Sequence, residues 1–268
     1  MREPFQLHAG ICYLAQWQAE RPQLRAGFTT RNGGVSKPPF ASFNLGLHVS
    51  DQYDHVITNR KMLADKLGMP LDDWVAGEQV HSTHVEIVRT NDKGKGSRHH
   101  DTALKGTDGL VVKQSGILCT AFFADCVPLY FFDPQTGCLG LAHAGWKGTV
   151  GEIARKMVEK MKEAGATISN IRVAIGPCIA KEAYEVDDQV MKHIKREYAE
   201  QASEAKENGR YLLDLKRLNM EILLNQGVLR HNIAITNYCT FRDASLFFSH
   251  RRDGGKTGRM LAFIGYLP

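Results

Sequence analysis

Apolar residues spaced three and four apart recur along this chain, and this spacing predicts amphipathic helices. The two clearest helices cover residues 56–67 and 150–161, and Gly165 ends the second one. Two further helices are predicted near 187–200 and 214–225. These helical segments are separated by apolar runs too short for helices.

The short apolar runs, bounded by turn residues, predict β-strands. The predicted strands cover residues 24–30, 75–80, 85–89, 117–123, 129–132, 138–142, 171–175, 232–236, 245–249 and 259–264. Residues 91–106 are polar and glycine-rich, and we expect a mobile loop there. Because strands and helices mix without strict alternation, the pattern favours one α+β domain over residues 1–268, with mixed β-sheets flanked by helices.

Composition narrows the classes of function. The 34 basic and 29 acidic residues give a formal charge of +5, which is too small to indicate nucleic acid but suits an anionic substrate. No apolar run approaches the roughly 20 residues of a membrane span, and no secretory signal pattern precedes the first strand. The six cysteines form no CxxC pair or disulfide framework. We therefore expect a cytoplasmic protein with reduced thiols.

Three residues that can bind a soft or borderline metal lie at the ends of apolar runs. Cys126 follows one predicted strand within the run AFFADCVPL, His143 follows a second and His81 a third. If these strands are neighbours, a thiolate and two imidazoles meet at one edge, which suits Zn²⁺ and leaves a position open. Asp125 would then orient an imidazole or transfer a proton.

Simpler interpretations of these residues stay open at this point. A buried cysteine is often a small hydrophobic residue, and a buried histidine often only satisfies its neighbours. The spacing of His81, Cys126 and His143 matches no local metal pattern, so only the fold can bring them together. Without a metal, Cys126 would be a nucleophile with His143 as its base.

The segment after His143 is a candidate anion site. Thr149 and Glu152 have the spacing of a capping box, which predicts a helix that begins at Thr149. A helix N-terminus can bind phosphate through free N–H groups, and Lys147 would add a positive charge. Arg31 is a further candidate for the anion.

Two more residues complete the candidates drawn from the pattern alone. Arg60 lies on the first predicted helix and is a second arginine that would bind an anion. Cys178 follows the strand at 171–175, where it would either line the pocket or pack in the core. Neither position is distinctive by itself.

Seven segments in combination resemble the bacterial laccase-domain family. They are TTRNGGVS (29–36), FNLG (43–46), GEQVHSTHV (77–85), ADCVPL (124–129), AHAGWKGT (142–149), IGPCI (175–179) and SHRRDGGKTGR (249–259). That family was first described as polyphenol oxidases and is now regarded as purine nucleoside phosphorylases. The resemblance covers nearly the whole chain in order, and it implies an α/β sandwich similar to the catalytic domain of cytotoxic necrotizing factor.

The resemblance also implies a site. By motif, a zinc ion, with copper as the alternative metal, would be bound by His81, Cys126 and His143, and Asp125 would join these three in catalysis. The substrate-binding candidates carried over or retained are Arg31, Asn44 of the FNLG segment, Arg60, Lys147 and Cys178.

The activity that the resemblance implies is phosphorolysis of adenosine, inosine and methylthioadenosine to the free base and a ribose 1-phosphate, with adenosine deamination beside it. The partners would be purine nucleosides and phosphate, without nucleic acid or membrane, and the protein would be a monomer or a weak homo-oligomer. Three alternatives stay open: a metal-free Cys–His hydrolase or deamidase, a copper-dependent polyphenol oxidase, and a non-catalytic binding module. The absence of His-x-His pairs in the sequence argues against the oxidase.

Overall fold

The long strands of the chain are continuous apolar runs buried on both faces, and they lie in two six-stranded sheets packed face to face. The computed structural model describes residues 3–268. Its strands are β1 (Gln6–His8), β2 (Ile11–Tyr13), β3 (Leu24–Thr29), β4 (Trp74–Ala76), β5 (Val85–Ile87), β6 (Gly109–Val112), β7 (Ile117–Phe123), β8 (Val127–Phe132), β9 (Leu139–Ala144), β10 (Arg172–Ile175), β11 (Glu185–Val186), β12 (Ser203–Ala205), β13 (Tyr211–Leu213), β14 (Ile233–Ile235) and β15 (Met260–Tyr266). Its α-helices are α1 (Ala15–Glu20), α2 (Tyr53–Leu67), α3 (Trp146–Val150), α4 (Ile153–Glu163), α5 (Asp188–Met191), α6 (Arg196–Ala202) and α7 (Leu215–Asn225).

Both large sheets are antiparallel in the middle and parallel at an edge. The first sheet has the order β1-β2-β3-β15-β7-β4, with β4 parallel to β7. The second has the order β14-β10-β8-β9-β6-β5, with β14 and β5 parallel to their neighbours. A small sheet, β11-β13-β12, is antiparallel. The predicted α+β class with mixed sheets is confirmed.

The hydrophobic core forms three layers around the two sheets. Aromatic side chains such as Phe123 of β7 and Phe132 of β8 fill the space between the sheets. Helix α2 covers the outer face of the first sheet, and α4 and α7 cover the outer face of the second. Burying each large apolar side chain contributes about 1.5–3 kcal/mol, so these layers supply the main driving force for folding.

The segment that separates β7 from β8 carries the chain from one sheet to the other. Strand β7 pairs in the first sheet and β8 in the second, so residues 124–126 make the whole crossing. Asp125, in the middle, has φ 88°, the left-handed region that non-glycine residues rarely adopt. A strained residue at such a crossing is typical of a functional site.

Three predicted elements differ from the structure. Residues 245–249 form no strand: Phe247 and Phe248 are buried, but the segment is a loop after a turn at Asp243. The strand predicted over 75–80 stops at Ala76. The helix predicted near 187–200 is divided into α5 and α6.

The predicted capping box is also wrong. Helix α3 begins after Gly145, so Thr149 lies within it, and its hydroxyl accepts a hydrogen bond from Asn219 Nδ2 at 3.0 Å. Glu152 has φ 63° between α3 and α4, and its carboxylate pairs with Arg155 and Lys195. Lys147 therefore lies in a helix of five residues.

The loop over residues 91–106 is bonded to the body of the protein. Gly94 N donates to Trp74 O at 2.9 Å, and Arg60 donates to the carbonyls of Gly96 and Ser97.

None of the helices in the described part of the chain combines the length and apolar character needed to cross a membrane. All six cysteines fall within residues 3–268 and carry free thiols.

Candidate metal centre

The fold brings together the three residues that the sequence predicts as metal ligands. The ligand atoms of His81, Cys126 and His143 all lie within 4.8 Å of one another. Cys126 Sγ is 3.8 Å from His81 Nε2, and the two imidazole rings lie edge to face with centroids 4.7 Å apart. Strand-end placement and the sheet crossing together account for this convergence.

The two packed sheets position two of the candidate ligands, Cys126 and His143. Cys126 ends the crossing between the sheets, directly before β8. His143 follows Leu139 and Leu141 on the face of β9 that points between the sheets, and its ring contacts Phe123 at a centroid distance of 5.3 Å. The metal centre thus lies where the core between the sheets opens.

His81 lies on a loop rather than on a strand. The Gln79 side chain makes the hydrogen bonds that a neighbouring strand would make there: its amide donates to Phe122 O at 2.9 Å and accepts from Phe122 N at 2.7 Å. His81 itself has φ 61°, a second left-handed residue at the site. Such backbone strain persists only when surrounding bonds hold it in place.

Those surrounding bonds come from Asp108, a residue that the sequence reasoning missed. Its buried carboxylate accepts the backbone N–H groups of Val80 and His81 at 3.2 Å and of Ser82 at 2.7 Å. It also accepts from Nδ1 of His143 at 2.8 Å. A sequence signal did exist, because Asp108 stands directly before the apolar run of β6, as Cys126 stands before β8.

Electrostatics at the centre favour a Cys126 thiolate beside a protonated His143, and a bound metal would replace the proton of His143. Burial raises the pKa of the Cys126 thiol, but the His143 and His81 imidazoles outweigh it and lower the pKa to about 6. Burial lowers the pKa of His143, whereas the Cys126 thiolate and the Asp108 carboxylate raise it to about 9. Cys126 is therefore a thiolate at neutral pH, which is the form that ligates metals.

The centre lies in a pocket of about 540 Å³. Apolar walls come from Phe122, Trp146, Ile179, Tyr184 and Leu215, and cationic side chains come from Lys147, Arg251 and Arg259. Arg251 stacks over the Tyr184 ring at 5.1 Å. A pocket that combines apolar walls with convergent polar and charged groups is typical of a small-molecule site.

Asp125 lines this pocket, and its carboxylate holds loops rather than an imidazole, while the proton transfer also predicted for it stays a prediction. Its carboxylate accepts hydrogen bonds from Thr240 Oγ1 at 2.6 Å, Ser249 Oγ at 3.0 Å and Arg251 N at 2.7 Å. These bonds hold the loops around 240 and 251 against the sheet crossing. The orientation of an imidazole, which we expected of Asp125, is provided by Asp108 instead.

The structure also places Arg31 and Arg60 away from the pocket wall. The Arg60 guanidinium is buried, donates to the carbonyls of Leu45, Gly96 and Ser97, and stacks on Phe122. Arg31 donates to the carbonyls of Ala41 and Ala244. Both side chains hold loops together through backbone oxygens, and neither lines the pocket.

Asn44 and Cys178 likewise support the site without lining it. Asn44 is buried, and its Oδ1 accepts from the backbone N–H of Arg259 at 2.9 Å. Cys178 is buried beside Cys239 in an isolated bridge between the two chain segments. Of the five substrate-binding candidates from the sequence, only Lys147 lines the pocket.

The donor set fits a metal ion. One thiolate and two imidazoles with a side open to a pocket are the ligands of a catalytic zinc ion, although the same donors also bind copper. Within residues 3–268 this is the one group of three or more His, Cys, Asp or Glu side chains whose ligand atoms converge. His81, Cys126 and His143 would hold the ion.

Comparison with known proteins gives one consistent result. Residues 25–267 match the family model described as multi-copper polyphenol oxidoreductase laccase. The chain is 45% identical over 254 residues to purine nucleoside phosphorylase YlmD of Bacillus subtilis, covering 94% of this chain and 91% of the relative. It is 47% identical over 245 residues to the protein of the same name from Geobacillus stearothermophilus, covering 90% and 89%.

Solved structures agree with these sequence matches. The crystal structure of the Bacillus licheniformis hypothetical protein YfiH superimposes with a TM-score of 0.94 at 44% identity, covering 98% of this chain and 99% of that one. YlmD from Geobacillus stearothermophilus superimposes with a TM-score of 0.93 at 42% identity, covering 99% and 100%. The family model is described as a laccase, whereas the two curated relatives above are named purine nucleoside phosphorylases. The chain therefore belongs to the laccase-domain family.

Proposed function

We propose that this protein is a zinc-dependent purine nucleoside phosphorylase that converts adenosine, inosine or methylthioadenosine and phosphate into the free base and the ribose 1-phosphate. The observation that supports this function most directly is that the centre formed by His81, Cys126 and His143 lies in a pocket with three cationic side chains. The names of the relatives support the same activity. Adenosine deamination is a proposed side activity, and the cytoplasm is the proposed location.

The cationic residues of the pocket supply what phosphorolysis requires of the protein. In this reaction phosphate attacks the anomeric carbon while the base departs, through a sugar with oxocarbenium character. Lys147, Arg251 and Arg259 would hold the phosphate dianion close to that carbon and reduce its repulsion from the leaving base. The apolar wall would exclude water, which otherwise competes with phosphate.

The residues of the metal centre have a separate task. When bound, zinc supplies Lewis-acid chemistry toward an oxygen of the substrate or of water, which serves both phosphorolysis and deamination. His143 is held by Asp108 so that its other nitrogen faces Cys126 and His81. The thiolate of Cys126 contributes the negative charge that retains a divalent cation.

Product analysis tests this proposal. Purified protein with bound zinc is incubated with inosine, with and without phosphate, and the products are separated by chromatography. We expect release of hypoxanthine that depends on phosphate. Release that is independent of phosphate, or no release from any of the three nucleosides, would contradict the proposal.

A pair of arginine variants tests the proposed phosphate site. Arg259→Gln removes a pocket cation, and we expect the KM for phosphate to rise about tenfold, since a hydrogen bond to a charged group contributes about 1.5–3 kcal/mol. Arg31→Gln removes a guanidinium of similar exposure outside the pocket, and it should leave that KM unchanged. Equal effects of the two variants would reject Arg259 as a phosphate ligand.

A specific observation also favours a second function, that of a metal-free thiol hydrolase or deamidase. Asp108, His143 and Cys126 are connected in the order of an acid, a base and a nucleophile, and the pKa of Cys126 is lowered to about 6. Metal content discriminates between the two functions. About one zinc per active chain favours the phosphorylase, because a ligated thiolate is a poor nucleophile. Full activity after removal of zinc or copper favours the hydrolase.

A further inference from the structure

Asp108 contacts two of the three metal ligands, although it is not one of them. Oδ1 accepts from the His143 ring at 2.8 Å and from the His81 backbone at 3.2 Å. Oδ2 accepts from the backbone of Val80 at 3.2 Å and of Ser82 at 2.7 Å. A fifth contact joins the main chains, since His143 N donates to Asp108 O at 2.8 Å.

We propose that Asp108 is the positioning residue of the metal centre, which fixes the ring nitrogen that His143 offers to the metal and the left-handed backbone that aims His81. The proposal rests on the proposed zinc site. It assigns to one carboxylate the arrangement of ligands from two separate chain segments, the loop at 81 and strand β9.

The first half of the proposal concerns the hydrogen on His143. A carboxylate can only accept hydrogen bonds, so the nitrogen that faces Asp108, Nδ1, carries the hydrogen. In the neutral ring, the form that binds a metal, the other nitrogen, Nε2, then has the free electron pair, directed toward Cys126 and His81. Because a metal binds only an unprotonated nitrogen, Asp108 selects the tautomer that ligates.

The second half concerns the backbone of His81. Its φ of 61° is unfavourable for a side chain with a Cβ. Three consecutive N–H groups, at residues 80, 81 and 82, converge on the two carboxylate oxygens. This arrangement is possible only with the chain bent around the anion, so Asp108 stabilises the bend that directs the His81 ring toward Cys126.

An asparagine at position 108 cannot accept all of these hydrogen bonds, those from residues 80–82 and that from the His143 ring. If its NH₂ group replaces Oδ2, it opposes the N–H groups of Val80 and Ser82. If the NH₂ replaces Oδ1, it opposes the N–H of His81 and makes Nδ1 of His143 an acceptor, which moves the ring hydrogen to Nε2. Either orientation disturbs a ligand, so Asp108→Asn tests the proposal with little change in size.

The chain offers a matched control in Asp133. This carboxylate is also buried and also accepts three backbone N–H groups, from Gln135, Thr136 and Thr167. It lies in the turn between β8 and β9, at the opposite end of those strands from the metal centre. Asp133→Asn therefore imposes a similar loss of hydrogen bonds without contact with a ligand.

The experiment measures the dissociation constant for zinc by competition with a chromophoric chelator, and the melting temperature in parallel. We expect Asp108→Asn to weaken zinc binding about 10–100-fold, the usual effect of removing such a partner, and Asp133→Asn to keep the wild-type constant. Unchanged zinc binding in Asp108→Asn, or equal weakening in both variants, would overturn the proposal. A wild-type protein that binds no zinc would overturn the proposed zinc site together with it.

A measurement on the wild-type protein decides the matter even if Asp108→Asn does not fold. In zinc-loaded protein labelled with ¹⁵N-histidine, long-range ¹H–¹⁵N spectra report which ring nitrogen carries hydrogen. We expect the hydrogen of His143 on Nδ1 and the metal on Nε2. A hydrogen on Nε2 would contradict the role of Asp108, while zinc binding and turnover would remain intact.

Discussion

Cys126 and Cys178 lie in neighbouring chain segments, one directly before β8 and the other shortly after β10, yet they have opposite properties. The antiparallel ladder between β8 and β10 ends at Leu129 and Ile175, and beyond it Ile179 N donates to Asp125 O at 3.0 Å, which keeps the two segments adjacent. Cys126 lines the pocket beside the core between the sheets. Cys178 packs on the outer side of the second sheet, in the core under α7.

The two thiols differ most in acidity. Burial raises the pKa of Cys178 to about 12. The same effect acts on Cys126, but His143 and His81 reverse it and bring the pKa to about 6. The comparison teaches that strand-end position and burial do not make a functional cysteine; imidazoles on the same side of the sheet do.

Replacement of the two cysteines by serine should give the largest difference. Cys126→Ser removes the thiolate ligand, and because a metal ion supplies several kcal/mol of transition-state stabilisation, we expect phosphorolysis to fall at least about 10³-fold. Cys178→Ser should keep activity within about twofold, since its side chain does not line the pocket. The measurement is the initial rate of base release, with zinc content determined on the same samples. Comparable losses in both variants would contradict the distinction.

Thiol alkylation should separate the two residues next. After zinc is removed with a chelator, Cys126 should react with iodoacetamide at neutral pH at least about 100-fold faster than Cys178, because only the thiolate reacts. The lowered pKa also sets the sign of the pH dependence: reactivity is present above about pH 6 and is lost as the pH falls through 6. Mass spectrometry of the labelled peptides follows both sites. A midpoint near the ordinary thiol value would show that the imidazoles do not act on Cys126.

Removal of one imidazole should make Cys126 more like Cys178. In zinc-free His143→Gln, the effect of burial is opposed only by His81, so the pKa of Cys126 should rise and the midpoint of alkylation should move upward by at least about one pH unit. His84→Gln is the control, because His84 is exposed and pairs with Glu86 outside the metal centre. An unchanged midpoint in His143→Gln would assign the low pKa to another cause.

The sequence marks the candidate ligands more clearly than the residue that supports them, and the comparison explains why. Cys126 and His143 are marked by apolar runs that end in a chemically reactive residue, a local signal. Asp108 acts through contacts with residues 80–82 and 143, far away in the chain, so its role exists only after folding. The fold class followed from the mixture of helical and strand patterns for the same local reason.

Two of the three phosphate candidates from the sequence, Arg31 and Arg60, lie outside the pocket lining, and this was hard to foresee for a related physical reason. An arginine has many donors, and nothing local shows whether these bind a ligand or the protein's own carbonyls. Arg60 and Arg31 bind backbone oxygens of loops and do not line the pocket. Arg259 also binds backbone oxygens, those of Thr257 and Gly258, and yet it lines the pocket. The loop at 245–249 was mistaken for a strand because Phe247 and Phe248 fill the core from a turn, and the apolar pattern does not separate these cases.

The smallest expected difference concerns stability. Cys178→Ala leaves a small void in a packed core, and we expect the free energy of unfolding to fall by about 1 kcal/mol. Cys126→Ala, measured without zinc at about pH 5, where the thiol is protonated and the stabilisation that accompanies its lowered pKa is lost, should cost less, because its side chain already borders the open pocket and leaves little void. Urea denaturation of the two zinc-free variants measures this difference, and it has the opposite order to the difference in activity. A larger loss in Cys126→Ala would show that its pairing with the imidazoles stabilises the fold even without metal, and that the centre is part of the core and not only of the site.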